Sequence, residues 1–136
     1  MLPTPSLTRR LAALFYEALI LLALWIVAGF PFVGLSQGLD PAWVTPLFRL
    51  YLLLVTGLYF TWFWRHGGQT LPMKTWRIRL VSADGAPVTR RQAWLRYGAA
   101  LLGIPFLGVG LWWAWFDADR QFLHDRLSGT RLVKLD

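Results

Sequence analysis

The chain has 136 residues, 56% of them hydrophobic, 16% aromatic and only 15% charged. Soluble domains run about 45–50% apolar and about 25% charged, so this composition excludes an ordinary water-facing globule and leaves room for one domain. Fourteen Lys and Arg against seven Asp and Glu give net +7, and the lack of cysteine excludes a disulfide framework, thiol catalysis and Cys-based metal sites.

Arg9 and Arg10 precede a first apolar run, Leu11 to Phe32, which carries one charge, Glu17. A helix needs about 20 apolar residues to cross the hydrocarbon layer, so this run spans. Thr8-Arg9-Arg10 looks like the start of a twin-arginine leader. The run is nevertheless long enough to span, contains Glu17 and is not followed by a small-x-small cleavage site, so it is expected to be retained. A second run covers Pro46 to Trp64, with Arg49 near its outer end, where a long side chain can snorkel to the headgroups. The connection between the two, Val33 to Thr45, has no Lys or Arg, whereas 65–96 carries seven, which predicts a cytoplasmic N-terminus and a cytoplasmic loop 65–96.

Within that loop Trp76, Ile78 and Leu80 alternate with Arg77, Arg79 and Val81, a two-residue period that predicts a strand ending at the turn Asp84-Gly85. Thr89-Arg90-Arg91-Gln92 predicts an N-capped helix start, with Trp94, Tyr97 and Leu101 on one face. A third run, Tyr97 to Phe116, is interrupted by Gly103, Pro105, Gly108 and Gly110, and is expected to be a broken helix, re-entrant or spanning. Four Lys and Arg in the tail 117–136 favour a cytoplasmic tail, and Thr130 to Leu135 reads as a short strand able to pair with the loop strand. Trp25, Trp43, Trp62, Trp64, Trp112, Trp113 and Trp115 fall mostly toward the ends of the runs, as interface anchors do. The fold class expected is an all-α membrane protein, one domain over 1–136, with two full transmembrane helices, a third broken segment and a small cytoplasmic pair of β-strands.

Arg10, Glu17 seven residues later, Gly68-Gln69-Thr70-Leu71, the strand ending in Asp84-Gly85 and His124-Asp125-Arg126-Leu127-Ser128-Gly129-Thr130 together resemble the RDD family of small bacterial membrane proteins. The resemblance runs from about Arg9 to Val133, and the tail motif is its most specific part. It puts the family's motif residues on Arg10, Glu17 and Asp125. Glu17 stands where the family has an aspartate, and Pro72-Met73-Lys74 follows the loop motif where many relatives have Gly-Lys. What the resemblance implies is residence in the bacterial inner membrane and transport or ion exchange.

A carboxylate in a spanning helix costs about 2.5–3.5 kcal/mol on insertion scales, so Glu17 is expected to face the bundle interior with a partner. Arg10 is about 10 Å away along the axis at 1.5 Å per residue, so Arg65 and His66 at the end of the second run are the expected partners in a proton or cation site. Arg10 and Asp125 are expected to pair and clamp the tail to the first helix. Lys74, Arg77, Arg79, Arg90, Arg91 and Arg96 are expected to form a basic collar facing anionic lipid. No nucleophile with a fitting spacing accompanies His124-Asp125, so no enzyme activity is expected; nor is a metal, a cofactor or nucleic-acid binding. The expected partners are the bilayer and either further copies of the chain or another membrane protein. The functions expected are a transport or cation/proton exchange subunit using Glu17, or alternatively a scaffold that recruits a partner through the loop and tail.

Overall fold

A computed structural model describes residues 3–103 and 122–135. Two long helices, α1 (Leu7–Leu35) and α2 (Pro41–Arg65), form an antiparallel hairpin. Ser6 caps α1 by accepting from Arg9 N, and Asp40 caps α2 by accepting from Ala42 N ahead of Pro41, whose missing N–H is harmless at that position. Both helices are longer than the runs from which they were expected, and both continue through an internal proline, Pro31 and Pro46. At 1.5 Å per residue α1 is about 44 Å long, well beyond the roughly 30 Å hydrocarbon layer.

The hairpin is zipped by ring and hydroxyl contacts. The Tyr51 hydroxyl donates to Ala28 O at 2.8 Å, Trp25 Nε1 donates to Thr56 Oγ1 at 2.7 Å, and the Phe32 ring packs on Phe48 and Tyr51 at centroid distances of 5.1 and 5.2 Å. Outward, the hairpin is bare: Phe15 is 70% exposed, Phe30 74% and Trp43 73%. In the most apolar window of α1 only 6% of residues are buried, and in that of α2 17%. The core helix of a soluble protein would be mostly buried, so these two helices, with their apolar faces outward, are candidate membrane spans.

The compact part sits at one end of the hairpin. After α2 come α3 (Leu71–Thr75), β1 (Ile78–Ser82), α4 (Arg90–Gly103), α5 (Leu123–Ser128) and β2 (Thr130–Lys134). β1 and β2 pair antiparallel with Ile78 opposite Lys134 and Ser82 opposite Thr130, as the two-residue period predicted. Ile78 and Leu80 are 1% exposed and join Ala13, Trp64, Met73, Val88, Ala93, Tyr97 and Leu132 in the core. Trp76 stays outside the strand, because Arg77 takes a left-handed backbone, φ 53°, between it and Ile78. The predicted helix start is a reciprocal box: Gln92 N donates to Thr89 Oγ1 and Thr89 N to Gln92 Oε1.

On α4, Trp94 and Leu101 are 40% and 39% exposed, Trp94 packing edge-on against Tyr97, and the buried stripe is Ala93, Arg96 and Tyr97. Small Ala93 lets the helix approach the core, and the Tyr97 hydroxyl anchors it to α2 through Leu53 O at 2.7 Å. Most of the third apolar run, from 104 to 116, and the start of the tail, 117–121, lie outside the described residues.

Candidate functional site

Glu17 lies on the inward face of α1, 5% exposed. Tyr59 of α2 donates its hydroxyl to one carboxylate oxygen at 2.7 Å, and Thr70, the residue before α3, donates to the other at 2.6 Å. Three separate elements therefore meet on one carboxylate. The Gly68-Gln69-Thr70-Leu71 segment is shaped for this contact. Leu80 N donates to Gly68 O at 2.8 Å and Gln69 Nε2 to Ile78 O at 2.9 Å, so β1 holds the loop against the helices. Gly68 has φ +71°, and a Cβ there would lie 2.3 Å from Leu80 O, so only glycine fits.

Arg65 and His66, the partners expected for Glu17, are exposed and lie elsewhere. His66 stacks on Trp62 with centroids 3.9 Å apart, and its Nδ1 lies 2.8 Å from Trp62 O. Depth in the membrane suggested them, but the helix turns Thr61 and Trp64 inward instead.

The second buried cluster is built by α4 and the tail. Arg96, expected in the lipid-facing collar, is 3% exposed and forms a buried ion pair with Asp125, which is 1% exposed. Its Nη1 also reaches Thr130 Oγ1 at 3.2 Å, and its guanidinium lies over the Trp64 ring, 5.1 Å from the centroid. The second Asp125 oxygen accepts from Phe122 N at 3.0 Å, the N-terminal contact of α5. Ser128 Oγ donates to His124 O and lies 2.7 Å from Thr130 Oγ1, and Gly129 makes the left-handed turn, φ +69°, into β2. The tail motif is thus a folded knot around Arg96.

The expected Arg10–Asp125 clamp is corrected in its details. Asp125 has Arg96 as its ion-pair partner, and Arg10, 2% exposed, sits with its guanidinium 4.6 Å from the centre of the Phe122 ring. Arg10 thus meets the same turn as Asp125 one residue pair away. The other members of the collar, Lys74, Arg77, Arg79, Arg90 and Arg91, are exposed as expected.

Burial would raise the Asp125 carboxyl, but the Arg96 guanidinium and the Phe122 N–H outweigh it and hold it below the usual carboxylate range. His124 is lowered to about 3 by burial and by Arg96, with Asp125 opposing, so its ring is neutral at pH 7.

Arg10, Glu17, Arg96 and His124 all line one cavity of about 370 Å³ between α1, α2, α4 and the strands. The volume falls in the range of small-molecule sites, about 300–1,000 Å³. Sequence reasoning found Glu17 and Asp125 but missed Tyr59 and misplaced Arg96. Tyr59 is 42 residues from Glu17, and no local pattern marks it. Arg96 had a signal, since it adjoins Tyr97 and follows Ala93 by three residues, the spacing of an inward stripe.

A family model described as the RDD family matches residues 4–129, nearly the whole chain. An uncharacterized protein of Rickettsia prowazekii, RP437, is 29% identical over 82 residues, which are 60% of this chain and 46% of that protein. The match therefore spans under half the length of that relative. No solved structure matches the chain.

Proposed function

The chain belongs to the RDD family, and from that premise we propose that it is a multi-pass protein of the bacterial inner membrane, N-terminus and loop 65–96 in the cytoplasm, serving in cation/proton exchange. One observation carries the reading: the Glu17 carboxylate is buried on a cavity wall inside the helix pair, with each oxygen held by a hydroxyl from a different element. A hydroxyl can donate to a carboxylate and accept from a carboxylic acid. Glu17 can therefore gain or lose a proton, or exchange it for a cation, while Tyr59 and Thr70 keep their hydrogen bonds by rotating. Intramembrane acids that are buried and hydrogen-bonded in this way mark ion paths. The distribution of Lys and Arg supports the orientation, because the exposed Lys74, Arg77, Arg79, Arg90 and Arg91 all lie at the same end of the hairpin.

The test is ion-driven proton movement in vesicles reconstituted with the purified chain. Wild type moves protons when a cation gradient is applied, and Glu17→Gln does not while remaining folded. The exposed basic surface of the strand module favours a second reading, a scaffold that recruits a partner. Under that reading Glu17→Gln leaves flux at the level of empty vesicles in both proteins.

A further inference from the structure

The cavity beside Glu17 has features that proton exchange does not use. Along α1 its wall runs from Arg10 through Leu14, Ala18 and Leu21 to Trp25, fifteen helical steps or about 22 Å at 1.5 Å per residue. One leaflet of a roughly 30 Å hydrocarbon layer is about 15 Å deep, so the slot is long enough for a whole acyl chain. Toward Trp25 its described lining is mostly apolar, with Leu14, Ala18, Leu21 and Phe60, and Glu17 and Thr56 as the polar exceptions.

At the end nearest the strand module the character changes. Trp64, Arg96 and His124 line the cavity and are 5%, 3% and 3% exposed. Each has a nitrogen with no hydrogen-bond partner among the described residues: Trp64 Nε1, Arg96 Nε and His124 Nδ1. The first two are obligate donors, and the third is a donor in one tautomer. A buried donor without an acceptor costs about 1–3 kcal/mol, and three gathered at one place call for an acceptor from outside the chain. The other lining charges do not supply it. Glu17 accepts from Tyr59 and Thr70 and Asp125 from Arg96 Nη1 and Phe122 N, and neither carboxylate bonds the three nitrogens.

We propose that the cavity binds one acyl chain ending in an oxygen-rich acidic head, the head on Trp64, Arg96 and His124 and the chain lying along α1 toward Trp25. Such a molecule lies in the slot as lipid lies in the leaflet, head at the basic end and hydrocarbon toward the bilayer centre. The head chemistry is shared by a free fatty acid and an anionic phospholipid. The hydrocarbon passes Glu17 on the wall of the same cavity, but the head-binding groups Trp64, Arg96 and His124 are distinct from Glu17 and its partners Tyr59 and Thr70.

The experiment is native mass spectrometry of the full chain released from a neutral detergent after incubation with dodecanoate, dodecanol or phosphatidylglycerol, with thermal unfolding followed in parallel. Dodecanoate is retained at least tenfold better than dodecanol, since only the carboxylate meets the charged donor. Trp64→Phe keeps an aromatic ring under Arg96 but removes the N–H, and lowers retention of dodecanoate roughly tenfold in protein that still unfolds cooperatively, while retention of dodecanol is unchanged. Ala18→Phe narrows the slot and lowers retention of the same probe. Comparison of phosphatidylglycerol with dodecanoate identifies which source the site takes. Equal retention of acid and alcohol, no retention of either acidic probe, which would leave water alone on the three nitrogens, or an unchanged Trp64→Phe variant overturns the proposal. None of these outcomes depends on flux, so each is separable from failure of the exchange reading.

Discussion

Replacing Asp125 by Ala leaves the Arg96 guanidinium, 3% exposed, without its counter-charge and takes the acceptor from Phe122 N. Removing one partner of a buried ion pair costs about 3–5 kcal/mol, because the remaining charge is left desolvated. Arg96→Ala carries a similar cost and also removes the contacts to Thr130 and the Trp64 ring. The double variant has no orphaned charge, so it is less destabilised than the sum of the singles by about 2–3 kcal/mol. Asp125→Asn is milder than Asp125→Ala, since an amide oxygen can still accept from Phe122 N. Arg10→Ala with Asp125→Ala is close to additive, with a coupling under about 1 kcal/mol, because Asp125 pairs with Arg96 while Arg10 meets the tail at the Phe122 ring. The assay is thermal or denaturant unfolding of the purified chain in one detergent at pH 7. Additivity for Arg96 with Asp125, or a stronger coupling for Arg10 with Asp125, would refute the assignment of the tail's partner.

Three more outcomes follow from the same contacts. His124 is held near 3, below its ordinary 6.5, so the unfolded chain takes up the proton first. Its contribution is full above pH 6.5 and is lost as pH falls toward 3, by up to about 1.4 kcal/mol per pH unit. Asp125, also lowered, adds a loss only at more acid pH, below the ordinary carboxylate range. Unfolding curves from pH 7 to 4 therefore show falling stability, and His124→Gln flattens the slope. Gly68→Ala meets Leu80 O at a left-handed φ and destabilises by more than about 1 kcal/mol, read as faster protease cleavage between α2 and β1. Thr70→Val removes one donor from a buried carboxylate and costs about 1.5–3 kcal/mol in the same unfolding assay, whereas Thr75→Val on the exposed side costs little.

Much of this arrangement was legible in the residues. The strand pair is written in a two-residue alternation from Ile78 to Leu80 and again in the tail, and the α4 start in the Thr89–Gln92 box. Glu17 was legible because an acid in an apolar run has few places to go. What was not legible is pairing across long separations. Tyr59 and Thr70 reach Glu17 over 42 and 53 residues, and Arg96 reaches Asp125 over 29. Depth along a helix gives the level of a side chain but not its facing, which is why Arg65 and His66 were expected beside Glu17 and stand outside. Charge counting has the converse weakness: Arg96 was counted with its exposed neighbours because a basic loop reads as uniformly solvated until packing turns one member inward.

Exchange of a proton for a cation at the Glu17 carboxyl is open to a direct measurement. The most direct measurement compares wild type, Glu17→Gln and Glu17→Asp in vesicles loaded with a pH-sensitive dye and given a sodium or potassium gradient. Wild type is expected to give a dye response, Glu17→Asp, which keeps a carboxyl one methylene shorter, a reduced but definite response, and Glu17→Gln none. A response from Glu17→Gln equal to wild type, or none from any of the three folded proteins, would contradict it.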